Sequence, residues 1–166
     1  RGRLDDAIAE NEAVRAEVVG KDDVASLSVC LSQLAGVQSA RGDHGSALAT
    51  IRLAQDLVQK GSEGNFGAAK FHVYAAAVYV RAAEASPAQA SMHLAEADVL
   101  VRLALSHGRR FPHVLPTALR HEAALLRQRG RSGGAIRSFR RAVEVSVRQT
   151  MPFEEALARV GLADLL

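Results

Sequence analysis

The side chains best suited to metal or acid–base chemistry are six histidines, at positions 44, 72, 93, 107, 113 and 121. A structural or catalytic metal needs three or four donors converging, and on a helix that means two ligands three or four residues apart with a carboxylate beside them. No two of these histidines meet that requirement. The nearest approach is His107 and His113, which flank the Gly108-Arg109-Arg110 turn and offer too few donors. Glu154-Glu155 could serve as a paired acid, but it falls just after Thr150, in the first turn of a helix, where the backbone dipole favours carboxylates anyway. Gly20-Lys21 lacks the upstream glycine and the following hydroxyl of a phosphate loop. There is no dinucleotide fingerprint, no His-Glu-x-x-His pair and no Gly-x-Ser-x-Gly elbow. The one cysteine, Cys30, has no internal partner for a disulfide, which suits a reducing cytoplasm. Its apolar neighbours mark it as a buried thiol. The expectation is a chain that is not an enzyme and holds no metal or cofactor.

Recognition chemistry is better represented. The chain carries 18 Arg against 3 Lys, and residues 102–148 hold 11 of those arginines with only Glu122 and Glu144 as acids. Residues 1–101 have 9 basic and 13 acidic residues, a net of −4, while residues 102–166 have 12 and 5, a net of +7. Arg137, Arg141 and Arg148 recur at helical spacing on one side of a single helix. Such a basic stripe is either solvated or meets an acidic protein, a phosphate backbone, or the acidic first half of another copy. Nucleic acid is the least favoured of these, because no aromatic side chain interleaves the stripe and no base-reading helix is recognisable.

The elements that position these residues are helices. The composition is 48% hydrophobic and only 4% aromatic, without Trp and rich in Ala, the strongest helix former. No apolar run approaches the length of a membrane span, and no basic-then-apolar leader is present. Arg1 in place of Met, and an end at Leu165-Leu166 inside an apolar periodic segment, suggest a piece of a longer protein. Helix breakers recur in steps: Gly20, Gly42 and Gly64 are evenly spaced, as are Gly108 and Gly130, with Ser86-Pro87 and Met151-Pro152 filling the gaps. Glycine just past a helix end and proline in the next first turn are the expected punctuation. Asp22, Asp43, Asn65, Ser86, Ser132 and Thr150 are the candidate N-caps. Eight helices follow, near 3–19, 22–41, 44–60, 65–85, 87–107, 113–129, 132–149 and 152–166. Short turns pack successive helices antiparallel, and a hairpin repeated about every 44 residues implies a solenoid built as one domain over 1–166. A closed helical bundle is the alternative.

A finer pattern resembles the tetratricopeptide repeat. Gly42, Ala47, Ile51 and Ala54 match its second helix, as do Gly130, Ala135, Phe139 and Ala142. Ala85, Ala90, Leu94 and Ala97 match with the Gly replaced, and Gly2, Ala7, Asn11 and Val14 form a degenerate copy. Leu31, Tyr74 and Leu119 stand at the large position of the first helix, followed four residues later by Ala35, Val78 and Ala123. The aromatic positions of the family are mostly aliphatic here, and the repeat is stretched. Long repeats of this kind look like those of large bacterial signalling regulators, such as the maltose-activator class of transcription factors and the antibiotic regulatory proteins. The resemblance implies an all-α, right-handed solenoid of antiparallel hairpins whose first helices line a concave groove. It implies a protein- or peptide-binding scaffold or sensor in a cytoplasmic bacterial regulator, docking a partner or other domains of its own chain. A small-molecule or peptide-pheromone sensor and a homo-oligomer are the alternatives. Carried across residue by residue, the groove is lined by Val29, Ser32 and Ser39, then His72, Ala75 and Tyr79, then Thr117, Arg120, Arg127 and Gln128. Among these, His72, Tyr79, Thr117, Arg120, Arg127 and Gln128 are the candidate ligand contacts.

Overall fold

A computed structural model describes residues 2–19, 23–60 and 66–166. Among them are eight α-helices and no strand: α1 (Gly2–Val18), α2 (Val24–Arg41), α3 (His44–Lys60), α4 (Phe66–Ala85), α5 (Ala90–His107), α6 (Leu115–Gln128), α7 (Ser132–Arg148) and α8 (Pro152–Ala163). Single 3-10 turns at Pro87–Gln89 and Pro112–Val114 lead into α5 and α6. Those two starts therefore lie later than the apolar periodicity suggests, because each proline opens a tighter turn before the α-helix takes hold. None of the described helices is long and apolar enough to cross a membrane.

The ends follow local chemistry, with some departures from the expected punctuation. Asp43 accepts a hydrogen bond from the Ser46 N–H at 3.1 Å and caps α3. That bond to the ionised form holds its carboxyl below the ordinary range. Asp23 caps α2 through the Ser26 N–H at 2.9 Å. The expected caps Asp22 and Asn65 and the breakers Gly20 and Gly64 lie outside the described residues. Ser86 makes no side-chain cap bond, and Ser132 is the first residue of α7, the cap position being taken by Arg131. Thr150 is not a cap either: it ends α7 at φ +55°, the left-handed conformation that Gly42 and Gly130 adopt after α2 and α6. All three ends share one closure, in which the left-handed residue donates three residues back and its successor five back. The second of these bonds runs from Asp43 to Gln38, from Arg131 to Leu126 and from Met151 to Ser146. Gly108 differs, with φ −57°. It is small because a Cβ there would lie 2.9 Å from Leu115 Cδ1.

Each helix packs on its successor, and α2, α4, α6 and α8 also pack on one another in order, whereas α1, α3, α5 and α7 do not. Alanine sets the approach distances: Ala35, Ala47, Ala54, Ala97, Ala123, Ala135 and Ala142 are fully buried. Between them Ile51, Leu119 and Phe139 fill the seams, each contributing about 1.5–3 kcal/mol relative to exposure. The two complete motif copies thus supply buried residues at every apolar position. In the degenerate copy Val14 is half exposed. One core joins α2 to α5, with Leu125 of α6, around Ile51 and Phe71, a second joins α6 to α8 around Phe139, and a small cluster including Val73, Val114 and Ala118 lies between α4, α5 and α6. Cys30 is buried, as expected; its Sγ donates to the Asn11 carbonyl at 3.2 Å, and burial pushes its pKa up.

Candidate functional site

Two faces of α4 each border a cavity. On one, Lys70, Tyr74, Ala77 and Arg81 follow each other at steps of four, three and four, a single helical stripe. This stripe lines a groove of about 660 Å³. Gln33, Gly36 and Val37 of α2 form one bank, and Thr117, Arg120 and His121 of α6 form the other. Met151, Phe153 and Glu154 close the far end, and Leu4 and Asn11 of α1 reach in from the near end. Gly36 lies against the Tyr74 ring, where a Cβ would make ordinary van der Waals contact with Cδ1 at 3.9 Å.

The groove is electrostatically one-sided. Its single lining carboxylate among the described residues, Glu154, is held by Arg120 Nε at 3.2 Å, with side chains 14% and 22% exposed respectively. That pairing, beyond the helix dipole, accounts for a carboxylate at the start of α8. Lys70 lies 5.6 Å from the Phe66 ring centroid, and neither Lys70 nor Arg81 has an ion-pair partner among the described residues. Burial, with Arg120 and Arg81 nearby, keeps His121 well below the usual histidine range. Burial and Lys70 lower His113 in the same way. The groove therefore presents two unpaired cations around a partly buried tyrosine and an apolar floor.

On the other face of α4, Phe71, His72 and Tyr79 border a pocket of about 490 Å³ between α3 and α5. His72 is buried and stacks on His107, ring centroids 5.2 Å apart. Its Nδ1 has no hydrogen-bond partner. Burial and the neighbouring His107 lower its pKa to about 4, so the ring is neutral at physiological pH.

The expected ligand contacts are thus divided. Thr117 and Arg120 line the groove, whereas His72 and Tyr79 line the pocket on the opposite side of α4. Arg127 lies 3.8 Å from both Glu84 and Asp164, and Gln128 donates to Glu84, so both tie the end of α6 to α4 and Arg127 also ties it to the end of α8. On α2, Ser32 and Ser39 are buried, and the groove bank lies one residue round the helix from Ser32. Ala75 is likewise in the core. Lys70, Tyr74, Arg81 and Phe153 are among the lining residues that motif matching missed. The available signal was the Lys70/Tyr74/Arg81 stripe itself, obscured because the motif assigns Tyr74 to the packing seam.

The basic stripe is exposed: Arg137, Arg141 and Arg148 all point to solvent, with no ion-pair partner among the described residues. Other arginines of this half are engaged, Arg129 and Arg102 with Asp98 and Arg159 with Glu155. No cluster of three or more metal-ligating side chains forms among the described residues. No protein-family model and no curated protein matches the chain.

Proposed function

We propose that this chain is a protein- or peptide-binding module, a right-handed solenoid of antiparallel helix hairpins of tetratricopeptide character, serving a larger cytoplasmic bacterial regulator. The observation that carries this reading is the groove across α2, α4, α6 and α8, where Tyr74 stands between the unpaired cations Lys70 and Arg81. A tyrosine bordered by cations on a rigid helical floor is the composition of an interface hot spot, because the ring offers area at little entropic cost and the cations fix register. The order of helix contacts supports the solenoid, since the even-numbered helices form a continuous run whereas the backbones of the odd-numbered ones do not approach each other closely among the described residues. The test is selection from a displayed peptide library, with enriched peptides titrated against wild type, Lys70→Glu/Arg81→Glu and Arg137→Glu. The first variant should weaken binding at least about tenfold, as expected for loss of two charge-assisted contacts, and the second should leave it unchanged. Failure to enrich any peptide, or indifference to the groove variant, overturns the reading. Arg120 and Arg127 are unsuited to this test because both hold helices together.

A small-molecule sensor is the second reading, favoured by the pocket beside His72, where a buried imidazole lacks a hydrogen bond. A metabolite selective for the native state must raise the thermal midpoint. That rise should vanish when Val99→Trp fills the pocket, and a library that raises no midpoint removes this reading.

A further inference from the structure

The outward face of α7 carries Arg137, Arg141 and Arg148, at steps of four and seven residues. The outward face of α1 carries Asp6, Glu10 and Glu17, at the same steps of four and seven. All six are exposed, and none has an ion-pair partner among the described residues. Each trio spans about 16 Å of helix at 1.5 Å per residue, on a strip some 40° wide. The strips are placed alike on their helices. The packed face of α1 includes Ala7 and Asn11, and that of α7 includes Ser138 and Ala142, so each strip begins one residue before its packed face.

We propose that this surface joins two copies of the chain, with α7 of one lying alongside α1 of another and both helices running in the same direction. In that register Arg137 meets Asp6, Arg141 meets Glu10 and Arg148 meets Glu17. Glu144, which borders the basic strip, then faces Ala13, and Arg3, which borders the acidic one, faces Gly134, both neutral partners. Reversing one helix keeps only the two end pairs and sets Glu144 against Glu10, like charge on like, so the sequence selects the parallel register. Arg3 and Arg15 of α1 do not lie within the acidic strip, Arg15 being on the far side of the helix. Asp5, which faces away from the strip, is occupied by Arg41 at 3.0 Å. The contact uses faces outside the groove and does not rest on the peptide-binding reading.

The test is sedimentation velocity on the 166-residue chain across a concentration series, at about 20 mM and about 500 mM salt, since exposed charge pairs are screened as the Debye length shortens. Wild type should associate at low salt and be monomeric at high salt. Arg137→Glu/Arg141→Glu/Arg148→Glu and Asp6→Arg/Glu10→Arg/Glu17→Arg should each weaken self-association at least tenfold, with circular dichroism confirming that both fold. Mixing the two variants should restore association, because each reversed strip then meets its complement. A wild type that stays monomeric at low salt overturns the proposal. So does a reversed variant that associates as wild type does, or a mixture of folded variants that fails to combine. Glu144→Ala should leave the parallel contact intact, and a gain of tenfold or more on this change would show that the antiparallel register holds instead.

Discussion

Thr150 sits at φ +55° where α7 ends, in the conformation that two glycines adopt at the ends of α2 and α6. A β-branched side chain there meets the neighbouring carbonyl oxygen, and the left-handed region costs an L-residue roughly 1–2 kcal/mol. The cost is tolerated because the two closing hydrogen bonds, Thr150 to Val147 and Met151 to Ser146, satisfy carbonyls at the helix end. Thr150→Gly keeps both bonds and removes the strain, less the extra freedom glycine has when unfolded. It should stabilise the fold by about 1 kcal/mol, read as a shift of the urea midpoint at constant slope; an unchanged or lowered midpoint would show that the threonine is unstrained. The sequence placed the break at this point correctly but misassigned the residue, because threonine is a common cap and a rare left-handed closer. Only backbone geometry separates the two roles.

At the level of helices, the short residues mark where elements touch most closely. Gly161 of α8 faces the Phe139 ring of α7, and a Cβ there would lie 2.5 Å from its Cε1 and Cζ. Phe139 is buried in the α6–α8 core, so its ring has little room to retreat. Gly161→Ala should therefore destabilise by about 1–3 kcal/mol despite alanine's better helix propensity. The expected sign is opposite to that of an exposed helical glycine, and limited proteolysis should show cleavage concentrating in α8. Periodicity revealed the helices and the positions of Ala47, Ile51, Ala135 and Phe139 in the seams, because burial repeats with the helical turn. It did not reveal which outward strip of α4 faces which cavity. His72 and Tyr74 are only two residues apart yet border opposite sides, and that distinction depends on how α3, α5 and α6 are placed around α4.

Taken as a whole, the molecule keeps several imidazoles neutral. His72, His107, His113 and His121 are all pushed below the ordinary range, desolvation being the leading cause in each. For His72 the folded value is about 4 against 6.5 for the free side chain. Between those limits the unfolded chain binds more protons than the folded one, so stability is greatest above pH 6.5 and falls as the solution is acidified toward pH 4. His72 alone accounts for about 3 kcal/mol of that loss. Urea unfolding of His72→Phe over the same interval should show a shallower decline than wild type, and parallel curves would assign the pH dependence to other groups. The six scattered histidines gave no hint of this from spacing alone, since it arises from burial and from the stacking of His72 on His107.

One feature sets how the two cavities relate. Helix α4 packs on α2, α3, α5 and α6, and the groove and the pocket lie on its two sides. It is a shared wall one helix thick, about 10 Å with its side chains. Close-packed helices resist compression, so the face of α4 that borders one chamber cannot be reshaped without regard to the face that borders the other: a bulky substitution on either side presses on the same backbone.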